Sequence, residues 1–433
     1  MRRTFVSASL AALLGSPAFG APADDPILAV AARLQTEDGG VSLAFDLTGS
    51  VAVSAHALTN PKRIVIDLPA VDFHLDPALG RDAGPRGEGI VKSFRFGLFG
   101  PGKSRIVVDL GETACIRSLT DSPLSKAAAA TRLKLLLAPC SDDEFAASVQ
   151  SAPAEPPPSD SVAAAADAWP DGPPAIVLDP GHGGVDGGAY GLGGATEKVI
   201  TLDFAEALAE RLRASGRYRV VMTRESDAFV SLEDRVQIAE QAKASLFVSI
   251  HADTLQEATD VSGATVYTNA DRPTDAEAAR IADRENAADK AAGADEKAQA
   301  IDVADILFDL KRRETRAYAH IFSRDIVEMW KKSARLNRNP ERAAGFYVLK
   351  APDFPSVLIE LGYLSNTQDV QAMNSPQWRA KSADAVAAAI DAFFARSGAG
   401  ASPGLDAASP DRDDKKGLAS AVVPVDQGPG PRP

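Results

Sequence analysis

The chain has few residues of the kinds that bind transition metals or form disulfides. Its 433 residues include five histidines and two cysteines. It also lacks an excess of positive charge: the formal net charge is −13 and the isoelectric point is about 5.0, which argues against a general nucleic-acid-binding protein. Beyond residue 20, no apolar run is long enough for a transmembrane segment. Hydrophobic residues make up 45% of the chain, which is sufficient for two or three globular domains.

Residues 1–20 predict an export signal. A short n-region with two arginines precedes an apolar h-region, Val6–Leu14, and a small-x-small cleavage site ends at Gly20. The Arg-Arg-Thr-Phe-Val run resembles a twin-arginine signal, although Met1 stands where a polar residue is usual. An ordinary secretory signal is the alternative, and by either route we expect an exported protein.

Residues 27–140 predict an all-β domain with the form of a small antiparallel sandwich. Four segments alternate apolar and polar side chains, as strands with one buried face do: Val41–Leu47, Arg63–Leu68, Arg105–Leu110 and Arg132–Leu135. This region contains no catalytic set of residues, so we expect the domain to contribute binding rather than catalysis. An exported compartment permits a disulfide between Cys115 and Cys140, with two separate buried thiols as the alternative.

Two segments of the chain have a composition that cannot bury a core. Residues 141–173, rich in Ala, Pro and Ser, predict a linker, and residues 399–433 predict a disordered tail. Between them, residues 174–398 alternate apolar strands with helices, which predicts an α/β domain with a mainly parallel sheet and helices on both faces. The predicted strands are Ala175–Leu178, Arg219–Thr223, Leu246–Ile250, Ala264–Tyr267 and Ser356–Ile359, and the predicted helices lie near 202–212, 232–242, from about 316, and 377–396.

Three of these strands lead directly to a residue that can bind a metal or transfer a proton: His182, His251 and Glu360. Because the carboxyl ends of parallel strands lie at one edge of a sheet, we expect the three side chains to meet there. Glu197 opens a helix after a glycine-rich loop and can return to the same edge. His182, His251 and Glu197 would leave the fourth position of a tetrahedral zinc open for water, as in catalytic zinc sites. Glu360 would take a proton from that water and return one to the leaving amine.

Each of these residues also has a simpler explanation. His182 could be a turn histidine without a ligand, and Glu197 an acid favoured by the positive end of a helix dipole. Glu360 could be a strand-end carboxylate facing solvent, although the apolar run before it and Leu361-Gly362 after it make exposure less plausible. Four suitable residues at one predicted edge favour the metal site over these separate explanations.

The segments around these residues resemble the zinc-dependent N-acetylmuramoyl-L-alanine amidases. In chain order they are Leu178–Gly184, Glu197, Met222–Asp227, Leu232–Arg235, Ser249–Asp253 and Leu358–Asn366. The resemblance implies that His182, Glu197 and His251 bind zinc. It also implies that Glu360 is the catalytic carboxylate, and that the substrate is the amide between N-acetylmuramic acid and L-alanine in peptidoglycan. Asp253 departs from the family's usual asparagine, which leaves its role open.

The β-rich region has a resemblance of its own. Arg63–Pro69 and Phe96–Arg105 resemble parts of the AMIN domain, a wall-targeting module of periplasmic proteins. This architecture is similar to that of the cell-division amidases of the Gram-negative periplasm, which implies a periplasmic enzyme that splits the wall during division. The alternatives are a zinc carboxypeptidase acting on wall peptides and a non-catalytic wall-binding or activator protein. The presence of all four site residues disfavours a protein that has lost catalysis.

An insertion at about residues 271–315 (the insertion, below) is too long for an ordinary connection. Residues 275–290 predict a charged helix, and an apolar helical stripe follows at Val303, Ile306, Leu307 and Leu310. We interpret the insertion as a regulatory lid, because the division amidases that this chain resembles carry a blocking helix here that an activator protein displaces. Glu285 is our candidate for the carboxylate that fills the open zinc position. A solvated insertion without a function is the alternative.

Overall fold

The computed structural model describes residues 26–37, 39–81, 89–125, 129–149, 172–255, 260–294 and 306–396, with side chains from residue 311 in the last range. These residues form a β-sandwich followed by an α/β domain. The predicted export signal (1–20) and tail (399–433) lie outside the described residues. In the described part of the chain, no helix has the length and apolar character needed to cross a membrane.

The sandwich consists of two packed sheets. Its strands are β1 (Ile27–Glu37), β2 (Gly40–Leu47), β3 (Ser54–Leu58), β4 (Arg63–Pro69), β5 (Val71–Phe73), β6 (Val91–Gly100), β7 (Lys103–Leu110), β8 (Ala114–Pro123) and β9 (Thr131–Pro139). One sheet has the order β5-β1-β2-β9-β8 and the other the order β3-β4-β7-β6. Neighbouring strands are antiparallel, apart from the parallel pair β1 and β5. The predicted all-β sandwich is confirmed.

The sandwich core is aromatic at its centre and cross-linked at one end. Phe94 and Phe96 both meet Phe45 edge-on, with ring centroids 5.9 and 6.1 Å away, an arrangement that adds to the gain from burial. Cys115 and Cys140 form a disulfide that joins the start of β8 to the residue after β9. The expected pairing is therefore present, and the alternative of separate thiols is wrong.

The linker was predicted to begin at residue 141, but the first residues of that segment belong to the sandwich domain. Asp142–Val149 forms the helix α1, and its Phe145, which is 1% exposed, packs on the sandwich core. Asp142 at its start receives a hydrogen bond from Lys62 Nζ at 2.6 Å. One buried aromatic ring anchors a segment whose average composition is that of a linker. Residues 150–171 of the predicted linker lie outside the described residues.

The second domain alternates strands with helices. Its strands are β10 (Ala175–Pro180), β11 (Arg219–Met222), β12 (Leu246–His251), β13 (Ala264–Asn269), β14 (Leu336–Ala344) and β15 (Ser356–Glu360). Its helices are α2 (Glu197–Ala214), α3 (Leu232–Gln241), α4 (Ala276–Glu285), α5 (Ala288–Ala291), α6 (Ile306–Trp330), α7 (Thr367–Met373) and α8 (Pro376–Arg396). The sheet order is β11-β10-β12-β15-β13-β14, and only the pair β13 and β15 is antiparallel.

Helices cover both faces of this sheet. Alternate residues of β10 point to opposite faces: Ile176 and Leu178 belong to the core beneath α2, α6 and α8, and Val177 to the core beneath α3 and α4. Burial on both faces explains why these strands are continuous apolar runs. The predicted mainly parallel sheet with helices on both faces is confirmed.

Two elements differ from the prediction. The helix expected from about Arg316 begins earlier, as α6 starts at Ile306. Strand β14, with the sequence LNRNPERAA, was not predicted, because a polar segment that contains Pro340 does not have a strand pattern. Its position at the edge of the sheet explains its composition, since edge strands tolerate proline and charged side chains.

Candidate metal centre and active site

The site begins where β10 ends, at a buried carboxylate. Asp179 accepts hydrogen bonds at 2.7 Å from three side chains: Thr223, Arg235 and Ser249. Burial raises the pKa of Asp179, but the charge of Arg235 and the hydrogen bonds outweigh burial and hold the pKa below its usual value. Arg235 also donates to the carbonyl oxygens of Pro180 and His182, each at 2.8 Å. The ionised Asp179 and Arg235 therefore fix the turn that carries His182.

The imidazole of His182 is oriented by a second carboxylate. Its Nδ1 lies 2.8 Å from Asp186 Oδ2, which leaves Nε2 to face the site. Nε2 is buried and lies 3.1 Å from Glu197 Oε2 and 3.3 Å from Glu285 Oε2, but it makes no well-aligned hydrogen bond within the described residues, as expected of a nitrogen that binds a metal. Gly188 packs against this arrangement: a Cβ there would lie 2.5 Å from His182 Cδ2 and 2.7 Å from Glu197 Oε2. Only glycine permits this close approach of loop and ligands.

Four side chains converge on one point: His182, Glu197, His251 and Glu285, with one ligand atom of each within 4.8 Å of the others. Glu197 Oε2 lies 3.1 Å from His182 Nε2, and Glu197 Oε1 lies 3.2 Å from His251 Nδ1. Glu285 Oε2 lies 3.3 Å from His182 Nε2 and 3.1 Å from His251 Nδ1. All four residues are buried. Two imidazoles and two carboxylates in this geometry could hold a metal ion.

The charges of this cluster depend on one another. Burial lowers the pKa of His251, but the charge of Glu285 and the hydrogen bonds that the imidazole donates to Glu197 and Glu285 raise it to about 10. Burial raises the pKa of Glu285, and the charges of His251 and His182 bring it down to about 2. Burial also raises the pKa of Glu197, but the charges and hydrogen bonds of His182 and His251 hold this pKa well below its usual value. Without a metal, the carboxylates thus hold protons on the imidazoles, so this site favours a positive charge.

Backbone hydrogen bonds place Glu197 at the centre of the cluster. The residue is fully buried at the start of α2. Its Oε2 accepts from Ala189 N at 2.8 Å, and its Oε1 accepts from Ala252 N at 2.8 Å. The first donor belongs to the glycine-rich loop and the second follows His251. Glu197 therefore ties the loop to the end of β12 and has the fixed orientation that a ligand needs.

Glu360 lies beside the cluster rather than in it. It ends β15 directly opposite His251 and is fully buried. Its Oε2 accepts from Asp253 N at 3.0 Å, and its Oε1 has no hydrogen-bond partner within the described residues. Burial and then the charge of Asp253 raise the pKa of Glu360 well above its usual value. A carboxyl with one free oxygen and a raised pKa can both accept and release a proton.

Asp253 has a specific partner, which the sequence did not identify. It is fully buried, and Arg284 Nη1 forms a salt bridge with its Oδ1. Burial and the charges of Glu285 and Glu197 raise the pKa of Asp253 to about 7, against the opposing charge of Arg284. Arg284 belongs to α4, so this pair ties the insertion to the chain after β12.

The insertion places Glu285 at the point where the ligands converge. Glu285 is the last residue of α4, a helix capped at its start by Asp275, whose side chain accepts from Ala278 N at 2.9 Å. After the helix, Asn286 donates to Gly345 O at 2.9 Å and accepts from Tyr347 N at 2.7 Å. The cap sets where α4 begins, and the two contacts of Asn286 fix the end of α4 to the chain around Gly345. The carboxylate of Glu285 consequently lies beside His182 and His251.

The structure brings together every residue that the sequence selected for the site. His182, Glu197 and His251 surround one point, Glu360 lies at the same sheet edge, and Glu285 enters from the insertion. The sequence analysis missed the partners that orient these side chains: Asp179, Asp186, Arg235 and Arg284. Asp186 could have been proposed as the acid nearest to His182 in the glycine-rich loop. The predicted apolar stripe of the insertion lies outside the residues whose side chains the structure describes.

Comparison with known proteins identifies both domains. Residues 176–392 match the family model described as N-acetylmuramoyl-L-alanine amidase, and residues 31–126 match that of the AMIN domain. The amidase AmiC of Escherichia coli is 30% identical over 377 residues, which cover 84% of this chain and 89% of that protein. The amidase AmiA of Escherichia coli is 36% identical over 221 residues, 51% of this chain and 75% of that protein.

Among solved structures, the amidase AmiC2 of Nostoc punctiforme aligns with 52% of this chain and 98% of its own, at 28% identity and a TM-score of 0.38. The match of the amidase model to half of the chain, together with the extended similarity to AmiC, decides the assignment. The protein belongs to the N-acetylmuramoyl-L-alanine amidase family, and it hydrolyses the amide bond between N-acetylmuramic acid and L-alanine in peptidoglycan.

Proposed function

We propose that this amidase is a zinc enzyme whose ion is held by His182, Glu197 and His251. The observation that carries the proposal is the convergence of His182 Nε2, His251 Nδ1 and a carboxylate of Glu197 on one buried point. Two histidines with one glutamate are an established ligand set of catalytic zinc, which keeps a position open. Zinc bound there would supply Lewis acidity and a water whose pKa is roughly 7.

Glu360 is the proposed acid and base of the reaction. The buried carboxylate would take the proton of the attacking water at its free Oε1 and deliver a proton to the leaving nitrogen of L-alanine. Its raised pKa supports this role. A carboxylate with a raised pKa is a stronger base, so it can take the proton of the water and hold it until the leaving nitrogen accepts it. Asp253 N fixes the other oxygen at 3.0 Å, so the carboxyl keeps a single orientation.

The insertion is proposed to inhibit the enzyme. Glu285 Oε2, which lies 3.1 Å from His251 Nδ1, would take the position that water needs at the metal. The salt bridge between Arg284 and Asp253 fastens the same turn of α4. An aspartate at 253 gives the arginine a charged partner that the family's usual asparagine would lack. Both contacts support a closed state in which the site excludes water and substrate.

A partner protein is proposed to open this closed state. The apolar stripe predicted from Val303 to Leu310 is the part of the insertion that would bind the activator. A two-state lid needs a difference in binding free energy of only about 5.5 kcal/mol to pass from 1% to 99% open. An activator that binds the open insertion can supply this difference without contacting the metal.

The AMIN domain is proposed to hold the enzyme on peptidoglycan, in the periplasm. The family of the domain and the export signal in the sequence support this location, and the two arginines of the signal support the twin-arginine route. A pull-down of residues 24–149, which include the core residue Phe145, with purified sacculi tests the binding. Sedimentation no greater than that of a control protein would contradict it.

The central experiment combines metal analysis with product analysis. Purified protein is assayed for zinc and then incubated with sacculi, and the soluble products are identified by mass spectrometry. An amidase releases intact stem peptides with a free amino group on L-alanine. A zinc carboxypeptidase would instead shorten stems that stay attached to the glycan, and a non-catalytic wall-binding protein would release neither. Zinc below one equivalent in an active protein would contradict the proposed cofactor.

A further inference from the structure

The outer face of the β3-β4-β7-β6 sheet, in the AMIN domain, contacts the middle of the insertion, at the end of α5. Arg95 Nε donates to Ala291 O at 2.6 Å, and Arg105 Nη1 donates to Gly293 O at 2.6 Å. Ala291 is the last residue of α5, so the two arginines bind carbonyls at a helix end, where the helix itself supplies no donors. Hydrogen bonds from a charged donor are stronger than those between neutral groups.

Both arginines are held in place by their own domain. Arg95 binds both carboxylate oxygens of Asp109, at 2.6 and 3.1 Å. Arg105, whose side chain is 3% exposed, donates through Nε to Asp67 Oδ1 at 2.6 Å. The guanidinium of Arg105 also lies 3.4 Å from the ring centroid of Phe99. The arginines are thus fixed in orientation by the sheet, and the loss of side-chain entropy on contacting the insertion is small.

An apolar contact lies beside these hydrogen bonds. Ala292 is fully buried in a small cluster with Val107 of the AMIN sheet and with Val185 and Phe229 of the amidase domain. Phe229 also stacks on Phe99, with the ring centroids 5.3 Å apart. The cluster therefore joins three parts of the chain: the AMIN sheet, the insertion and the loops of the amidase sheet edge.

The same sheet also contacts the loop that follows His182. Leu98 O accepts from Val185 N at 3.2 Å and from Phe229 N at 3.4 Å. Gly97 lies so close that a Cβ there would be 2.4 Å from Gly184 C. The AMIN domain consequently packs directly on the loop between His182 and Glu197, two of the proposed zinc ligands. Its position relative to the metal centre is fixed on one side by this loop and on the other by the insertion.

We propose that the AMIN domain is an intramolecular restraint on the insertion: Arg95 and Arg105 hold the end of α5 and thereby keep Glu285 among the zinc ligands. This inference rests on the proposed inhibition by Glu285. Ala291 follows Glu285 by six positions, through the short helix α5, so movement of one end of this segment displaces the other. A binding partner that moves the AMIN domain away from α5 would break these contacts and release the insertion. By the same coupling, movement of the insertion would release the AMIN domain.

The test uses the full-length, zinc-loaded chain with Arg95→Ala and Arg105→Ala combined. Basal release of dye from labelled sacculi should rise about tenfold, within the range usual for coupled sites. Amide hydrogen exchange in residues 276–294 should become faster in the same variant. Arg132→Ala is the matched control: this arginine pairs with Asp46 on the other sheet, where Arg33 also binds Asp46. The control should change neither measurement.

A second variant approaches the contact from the other side. Ala292→Glu leaves the AMIN domain unaltered and places a charge against Val107 and Phe229, so it should raise both the rate and the exchange. Glu285→Ala in the same assays separates the two proposals. If Glu285→Ala raises the rate while both contact variants behave as the parent, the restraint is refuted and inhibition by Glu285 stands. If exchange becomes faster without any gain in rate, the contact does not control the site, and the inference is equally refuted.

Discussion

His251 and Glu360 lie opposite each other at the ends of two adjacent parallel strands, β12 and β15. This register places a proposed metal ligand and the proposed proton-transfer group at neighbouring positions of the sheet edge. Asp253 N holds one oxygen of Glu360 at 3.0 Å, and the other has no hydrogen-bond partner within the described residues. The rigid strands thus set the distance between the metal position and the carboxyl.

Glu360→Ala should abolish most hydrolysis and leave zinc binding intact. The three proposed ligands do not include Glu360, so the metal content should stay that of the parent. Loss of a general acid and base typically costs about 10²–10⁴ in rate. Zinc is measured by mass spectrometry of the purified variant and hydrolysis by dye release in a Glu285→Ala background, which avoids the closed lid. Loss of zinc together with activity would mean that Glu360 is a ligand.

Glu285→Ala should raise the basal rate of wall hydrolysis, since it removes the carboxylate that competes with water. We expect a gain of about tenfold, a usual size for coupling between a lid and a site. Deletion of residues 274–310 should give a larger gain, because it also removes the Arg284 salt bridge to Asp253. Arg280→Ala is the control on the same helix, as its side chain is exposed. A folded, zinc-loaded deletion no faster than the parent would contradict inhibition by the insertion.

The sequence predicted the proposed metal site better than the parts that control it. His182, His251 and Glu360 could be selected because each follows an apolar strand, and parallel strands bring their carboxyl ends together whatever the loops do. The choice of Glu285 relied on the resemblance to division amidases. The contacts of Arg95 and Arg105 could not be predicted, because they join residues about 190 positions apart through the docking of two domains. Helix α1 was missed because one buried Phe145 anchors it.

Asp186→Asn should weaken zinc binding without disrupting the loop. Asp186 Oδ2 lies 2.8 Å from His182 Nδ1 and orients the imidazole, and loss of such a partner typically lowers metal affinity about 10–100-fold. The zinc dissociation constant is measured by competition with a chromophoric chelator. Asp227→Asn provides the comparison, because Asp227 binds Gly184 N in the same loop but no imidazole. If both variants lose zinc affinity equally, the effect comes from a change in the loop and not from the orientation of His182.

The stability of the metal-free protein should depend on pH in a direction set by the cluster. The pKa of His251 is raised from 6.5 to about 10, so its contribution to stability is complete below about pH 6.5 and is lost as pH rises towards 10. The pKa of Glu285 is lowered from 4.5 to about 2, so its contribution is complete above about pH 4.5 and is lost as pH falls towards 2. These two groups therefore stabilise the metal-free fold most between about pH 4.5 and 6.5, and the melting temperature should fall from pH 6 to pH 9.

Glu285→Ala tests the origin of this pH dependence. Without the carboxylate, the pKa of His251 should return towards its usual value, and the loss of stability between pH 6 and pH 9 should become smaller. The measurement is thermal unfolding of chelator-treated parent and variant at closely spaced pH values and constant ionic strength. Arg280→Ala, on the exposed side of the same helix, should follow the parent curve. Parent and Glu285→Ala curves of identical slope would mean that Glu285 does not stabilise the protonated imidazoles, and its proposed place in the metal centre would then be wrong.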